Sequence, residues 1–194
     1  MEEKKVKMDE FYFKKYSKYV KQNAGSKAGL NVFLTLKGCR KTSYFYTHKR
    51  YSKSFLHILK YYKMYFDSYD EDNITTYIIS KKPISEDVKY AFRNNDYDVK
   101  NPHIMGKFLE YPYFMNVRKV SVMKNIGAIN FYFLKNKKDK NKEIIYGFRI
   151  PNNKINPKII NNMNNIMKKY KKCIQKHLYT IFPHFTIEMN VRLN

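Results

Sequence analysis

The sequence lacks the residues that mark several classes of protein. It has no Trp and only two cysteines, Cys39 and Cys173, whose spacing fits neither a disulfide framework nor a zinc site. No apolar run approaches the length that crosses a bilayer, and no apolar stretch follows the first five residues as it would in a signal peptide. These absences predict a soluble protein in an intracellular, reducing compartment, either the cytoplasm or the nucleus.

Acidic residues are scarce compared with basic ones. The 194 residues include 39 Lys and Arg but only 16 Asp and Glu, which gives a formal net charge of +23 at pH 7. A charge of this size produces a positive field that attracts polyanions and weakens as salt is added. However, Lys occurs together with abundant Asn, Ile and Tyr, as it does in proteins from AT-rich genomes. The composition alone therefore leaves nucleic-acid binding and mutational drift both open.

The residues that are present predict one folded domain over 1–194. An apolar fraction of 43% with 17% aromatic residues is typical of a chain with a hydrophobic core and excludes global disorder. Within residues 1–24, aromatic side chains and lysines recur at three- and four-residue spacings, which predicts an N-terminal helix over about 8–22. This helix either packs its aromatic stripe on the body or forms a basic arm that contacts bases or an anionic surface.

Periodicities along the rest of the chain predict an α+β fold. Helices are expected over 52–62, 84–94 and 157–180. Strands are expected over 64–66, 76–80, 117–123, 126–134, 143–150 and 186–193. Because no regular βαβ alternation is present, we predict an antiparallel or mixed sheet with helices packed on it. A long C-terminal helix and a terminal strand complete the predicted fold.

Three local patterns refine this prediction. The apolar runs 30–36 and 42–47 are separated by a short segment with Gly38, so they are interpreted as a hairpin. The acidic stretch 67–73 is interpreted as a solvated hairpin turn. Asn156 is the expected N-cap of the last helix and Pro157 its first residue. The polar side of that helix carries Lys158, Lys168, Lys169, Lys171, Lys172 and Lys176.

The most distinctive motif is Gly-Lys-Phe-Leu-Glu-Tyr-Pro at 106–112. With the strand and helix that precede it, the region 75–113 resembles a poorly characterised set of proteins that carry G-K-x-L-G-Y-P. These come mainly from archaea, and some large DNA viruses have a similar motif. The matching residues are Gly106, Lys107, Leu109, Tyr111 and Pro112. Glu110 stands where the family usually has glycine, and Tyr113 or Phe114 replaces a frequent cysteine. The resemblance covers about 60 residues and implies a shared fold, because the family has no settled activity.

Two candidate sites follow from these patterns. The tip of the hairpin over 126–150 is almost wholly basic, and a cationic loop beside exposed aromatic rings is suited to single-stranded nucleic acid. Its predicted nucleic-acid-binding residues are Lys135, Lys137, Lys138, Lys140, Lys142, Tyr132 and Tyr146. The second candidate, suited to a phosphate, consists of His103, Lys107 and Tyr111, since His103 and Lys107 would share one helix face.

No catalytic motif appears at a diagnostic spacing. The sequence shows no nucleophile–base pair, paired carboxylates or metal cluster, so we assign no catalytic residue, metal or cofactor. Arg40 and Lys41 favour a thiolate at Cys39, but no base can be placed beside it. The preferred function is a nucleic-acid-associated binding protein that does not read sequence, because Arg suited to base contacts is scarce. The alternatives are an interaction or scaffold protein with an acidic protein partner and, last, a small enzyme.

Overall fold

The computed structural model describes residues 2–22, 26–94, 102–110, 125–136 and 142–193. The helices are α1 (Glu2–Tyr16), α2 (Gly29–Leu36), α3 (Ser52–Tyr61), α4 (Glu86–Arg93), α5 (Pro102–Phe108) and α6 (Pro157–Leu178). The strands are β1 (Val20–Gln22), β2 (Ser26–Lys27), β3 (Thr42–His48), β4 (Tyr65–Glu71), β5 (Ile74–Ser80), β6 (Ile126–Leu134), β7 (Glu143–Pro151) and β8 (Thr186–Arg192). The predicted α+β class is confirmed, whereas the predicted strand over 117–123 lies outside the described residues.

The strands form two antiparallel sheets. The larger sheet has the order β2-β1-β3-β5-β4 and the smaller one the order β7-β6-β8. In the larger sheet β3 pairs with β5 from Thr42↔Ser80 to His48↔Ile74. In the smaller sheet β6 is central, with β7 on one side and β8 on the other. The predicted hairpin over 126–150 and the predicted terminal strand are therefore confirmed.

Helix α2 contradicts the hairpin that we predicted for residues 30–47. Gly29–Leu36 is helical, and all eight residues are buried between the two sheets. Gly38 has φ of 73°, the left-handed conformation that commonly ends a helix, and the N–H of Cys39 donates to Leu34 O at 2.8 Å. The prediction was wrong because a helix buried on every side has no polar face, so its sequence shows no helical periodicity.

The core is continuous from the larger sheet through α2 to the smaller sheet. Phe45 and Tyr77 of the larger sheet and Phe131 and Phe133 of the smaller one belong to the same buried cluster as α2. Helix α6 covers the smaller sheet, and α4 packs on Ile78 at the other face of the larger sheet. The helices predicted over 84–94 and 157–180 therefore both pack on a sheet, as expected. The Asn156 side chain accepts a hydrogen bond from Ile159 N at 3.1 Å, which confirms the predicted N-cap of α6.

Helix α1 packs on the body, which was the first of the two predicted alternatives. Phe13 and Tyr16 are buried in the main core, whereas Phe11 is 55% exposed. The helix spans Glu2–Tyr16, so it begins and ends earlier than predicted. The acidic stretch 67–73 also differs from its prediction, because most of it belongs to β4. Asp67 in that strand is buried, and Arg93 donates to both of its oxygens at 2.9 and 2.6 Å.

Candidate nucleic-acid interface

Helix α6 presents an exposed strip of positive charge that no acidic residue of the helix itself offsets. Its 22 residues include six lysines and no Asp or Glu, and all six lysines are exposed. Side chains three or four positions apart share one face of a helix. Four of the lysines follow this spacing, and we call them the lysine strip: Lys168, Lys169, Lys172 and Lys176. In the ranges that the structure describes, no carboxylate pairs with Lys168, Lys169 or Lys172.

The lysine strip borders an open depression of about 460 Å³. Asn165, Cys173 and His177 complete its lining on α6, and Cys39 lines it from the turn after α2. The two cysteines form a disulfide with a Cα–Cα distance of 6.4 Å. This pairing corrects the sequence analysis, which found no disulfide framework, because their separation of 134 residues gave no local signal. The depression is therefore cationic on the α6 side and carries a disulfide.

A single turn after α2 anchors both lysine-rich helices. We call residues 37–41 the anchoring turn. Its Cys39 is bonded to Cys173 of α6, and its Lys37 forms an ion pair with Asp9 of α1 at 2.8 Å. The side chains of Lys37 and Asp9 are 8% and 1% exposed, so this ion pair is almost fully removed from water. The position of the lysine strip is consequently fixed to the core through α2.

Asp9 is the centre of a buried polar cluster below the depression. Lys37 Nζ donates to both of its oxygens, at 3.0 and 2.8 Å, and Tyr62 Oη donates to Oδ1 at 2.8 Å. His177 Nδ1 lies 3.0 Å from Asp9 Oδ2 but outside hydrogen-bond geometry, so we describe it as a close contact. Burial and the nearby Lys37 lower the pKa of His177 despite Asp9, which favours a neutral imidazole at pH 7.

Burial raises the pKa of Tyr62, and its hydrogen bond to Asp9 raises it further, so this phenol stays protonated. The sequence analysis missed the cluster, although one signal was present. Asp9 stands three residues after Val6 and four before Phe13, and both of these are buried. A carboxylate on the apolar side of a helix indicates a buried polar contact. Lys37 and Tyr62 come from distant parts of the chain and gave no such signal.

The hairpin tip is only partly described by the structure. Lys135 and Lys142 are exposed, as predicted, whereas Lys137, Lys138 and Lys140 lie outside the described residues. Lys142 forms an ion pair with Glu188 at 3.1 Å, and its Nζ lies 5.8 Å from the centre of the half-buried Tyr132 ring. Part of the tip's charge is thus compensated.

The predicted exposure of Tyr146 is wrong. Its side chain is 3% exposed, and its hydroxyl donates to Glu110 O at 2.8 Å. The Arg40 guanidinium lies 5.1 Å from the centre of the ring and is itself buried, where it donates to Thr42 O and Ile145 O. Alternation along β7 places Tyr146 on the side that faces the core, so the ring cannot stack on a base in this structure.

Of the three residues of the second predicted site, the structure describes the side chain of only one. Lys107 is exposed on α5. The side chain of His103 and the whole of Tyr111 lie outside the described residues, so the proposed grouping of these three residues stays a prediction. Glu110 has φ of 60°, a conformation that glycine adopts without strain.

Comparison of the chain with protein-family models, with curated proteins and with solved structures finds no match to any of them. In the described ranges, no three His, Cys, Asp or Glu side chains come together so that they could hold a metal ion. No helix of those ranges combines the length and apolar character needed to cross a membrane.

Proposed function

We propose that the protein binds single-stranded nucleic acid without reading its sequence, through the lysine strip of α6. The observation that carries this proposal is that α6 bears six exposed lysines and no acidic residue, so the helix presents a concentrated positive charge that attracts phosphates. Lys168, Lys172 and Lys176 recur every four residues, about 6 Å apart along the helix axis. An extended anionic strand along α6 therefore meets a cation at each step.

An exposed aromatic ring supports binding of a single strand. Tyr179 follows α6 directly, is 52% exposed and stands three residues after Lys176, on the same side of the helix. Stacking of a base on such a ring contributes about 1–3 kcal/mol and tolerates every base. We assign to Tyr179 the contact with single-stranded nucleic acid that was predicted for Tyr146.

The arginines support the absence of sequence readout. Bidentate Arg contacts are the commonest way to recognise guanine in the major groove. Helix α6 contains no Arg, and of the arginines elsewhere Arg40 is buried and Arg93 is paired with Asp67. The strip consists of lysines, and a lysine contacts a phosphate as a point charge without a preference for base sequence.

Two matched quadruple variants test the proposal. The α6 variant carries Lys168→Gln, Lys169→Gln, Lys172→Gln and Lys176→Gln. The α1 variant removes the same charge from exposed lysines elsewhere and carries Lys4→Gln, Lys5→Gln, Lys14→Gln and Lys15→Gln. We expect the α6 variant to bind a fluorescent single-stranded oligonucleotide about 100-fold more weakly than the natural chain at low salt. Equal losses in the two variants would show that net charge alone drives binding and would overturn the proposed interface.

A further inference from the structure

The lysine strip lies beside the Cys39–Cys173 disulfide, and this proximity has a chemical consequence. Cys173 is 5% exposed, Cys39 is half-buried, and both cysteines line the depression together with the four lysines of the strip. Their Cα–Cα distance of 6.4 Å is within the range of an ordinary disulfide. The bond is thus adjacent to a space large enough for a small molecule.

Thiol–disulfide exchange begins when a thiolate attacks one sulfur of a disulfide and the other sulfur leaves as a thiolate. Both the attacking and the leaving sulfur carry negative charge, and nearby ammonium groups stabilise such charge. A thiol that also carries a carboxylate is attracted to the lysines before it reacts, because a cleft lined by one sign of charge concentrates ligands of the other sign. The depression therefore favours anionic thiols over cationic ones.

We propose that the depression is a site at which a small anionic thiol exchanges with the Cys39–Cys173 disulfide and forms a mixed disulfide with Cys39. The attacking thiolate forms a new S–S bond to Cys39 Sγ, the Cys39–Cys173 bond breaks, and its electron pair leaves on Cys173 Sγ as a thiolate. Cys39 is the point of attack because it is the more exposed of the two. A second molecule of the same thiol then releases Cys39 as a thiolate and leaves as its own symmetrical disulfide.

The exchange frees α6 from the anchoring turn without removing the helix from the body. Met163, Tyr170, Ile174 and Leu178 of α6 remain buried against the smaller sheet. The thiol's carboxylate brings negative charge next to the lysine strip. The proposal uses the lysines of the proposed interface, but it does not require that nucleic acid binds there.

The test compares two small thiols that differ in charge, 3-mercaptopropionate and cysteamine. Oxidised full-length protein is mixed with each thiol at equal thiolate concentration, and the adduct is followed by intact mass and located by peptide mapping after alkylation. We expect 3-mercaptopropionate to react about tenfold faster than cysteamine, with the adduct on Cys39 and the alkyl group on Cys173. The α6 variant should lose this preference, and the α1 variant should keep it.

Three results would overturn the proposal. Equal rates for the two thiols in the natural chain would exclude steering by the lysines. An adduct on Cys173 would reverse the assigned direction of attack. Alkylation of both cysteines in protein never exposed to a reductant would show that the disulfide does not form. Oligonucleotide binding is measured on the same samples, so a failure of the exchange and a failure of the proposed function are separate outcomes.

Discussion

Helices α1 and α6 are both rich in lysine, yet their charges differ. Helix α1 contains five lysines and four acidic residues, so its net charge is close to zero. Helix α6 contains six lysines and no acidic residue. On α1, Lys7 pairs with Glu3 at 3.0 Å, whereas among the described residues no carboxylate pairs with Lys168, Lys169 or Lys172 of α6. Lysine content alone therefore does not distinguish the two helices, whereas the number of acidic residues among the lysines does.

The two helices are also held by different chemistry. The anchoring turn binds α1 through the buried ion pair between Lys37 and Asp9, and it binds α6 through the disulfide. Asp9 of α1 points into the core, where it neutralises the buried Lys37. We therefore assign a structural role to Asp9 of α1 and propose a binding role for the lysine strip of α6. Separate variants test the two roles.

The largest effect is expected from Asp9→Asn, which leaves the Lys37 ammonium buried without a counter-charge. Breaking a buried ion pair from one side costs about 3–5 kcal/mol of the free energy of unfolding. We expect a loss near the lower end of that range in a urea titration, since the new amide can still accept a hydrogen bond. The control is Glu3→Gln on the same helix, which breaks an exposed pair and should cost less than about 0.5 kcal/mol.

A second variant sharpens this test. Combining Asp9→Asn with Lys37→Met removes both charges, so no buried ion is left unpaired, and part of the lost stability should return. If the double variant is as unstable as the sum of the two single variants, Asp9 and Lys37 are not coupled and the role assigned to α1 is wrong.

The next largest effect is expected from removing the anchor of α6. Replacing Cys39 and Cys173 by Ser should lower the free energy of unfolding by about 2–4 kcal/mol under non-reducing conditions. Dithiothreitol should destabilise the natural chain by a similar amount and leave the double variant unchanged. A natural chain whose urea midpoint is the same with and without dithiothreitol would contradict the disulfide.

A smaller effect depends on pH and involves neither lysine-rich helix. Burial raises the pKa of Glu143 to about 7 from an ordinary value of 4.5, although the N–H of Leu30 and the charge of Lys27 oppose the shift. The folded chain then binds more protons than the unfolded chain between these two values. Stability should consequently fall as pH rises from about 4.5 to 7, by about 2.5 kcal/mol, and change little above that through this group.

Glu143→Gln isolates this contribution. The amide oxygen of Gln can still accept a hydrogen bond from Leu30 N, which lies 3.3 Å from the carboxylate, but it does not ionise. We expect the variant to match the natural chain near pH 4.5 and to be the more stable of the two at pH 8. Parallel pH profiles for the two chains in thermal unfolding would count against the assignment.

The smallest effect compares one exposed aromatic ring on each helix. Tyr179 at the end of α6 is 52% exposed, and Phe11 on α1 is 55% exposed. We expect Tyr179→Ala to weaken binding of a single-stranded oligonucleotide by about 1–2 kcal/mol, because a stacked base is lost. Phe11→Ala should leave the affinity unchanged. Equal losses of affinity in both variants, or equal affinity for single strands and duplex, would show that base stacking on Tyr179 does not contribute to binding.

Local signals in the sequence predicted much of the fold. Aromatic runs on either side of a basic loop indicated β6 and β7, and alternating side chains indicated β8. The pair Asn156-Pro157 predicted the start of α6, because a strand's composition and a helix cap involve neighbouring residues only. Helix α2 could not be predicted in this way, since burial on every side removes the periodicity that distinguishes a helix from a strand. Gly38 was the remaining clue, because glycine ends helices as well as making hairpin turns.

The candidate site was less predictable than the fold. The lysines of α6 were visible in the sequence, but the hairpin tip was preferred because its cations were predicted to lie beside exposed aromatic rings. The hairpin tip and α6 differ in contacts between residues that are far apart in the sequence. Lys142 of the tip pairs with Glu188, and Cys173 of α6 is bonded to Cys39. Contacts of this kind arise only when the chain folds, and no local pattern encodes them.

The salt dependence of oligonucleotide binding tests the central claim most directly. For single strands, each cation that neutralises a phosphate contributes about −0.7 to the slope of log affinity against log salt. The account predicts that the slope of the α6 variant is shallower than that of the natural chain by about 3, while the α1 variant keeps the natural slope. Identical slopes for the two variants would contradict a binding role confined to α6.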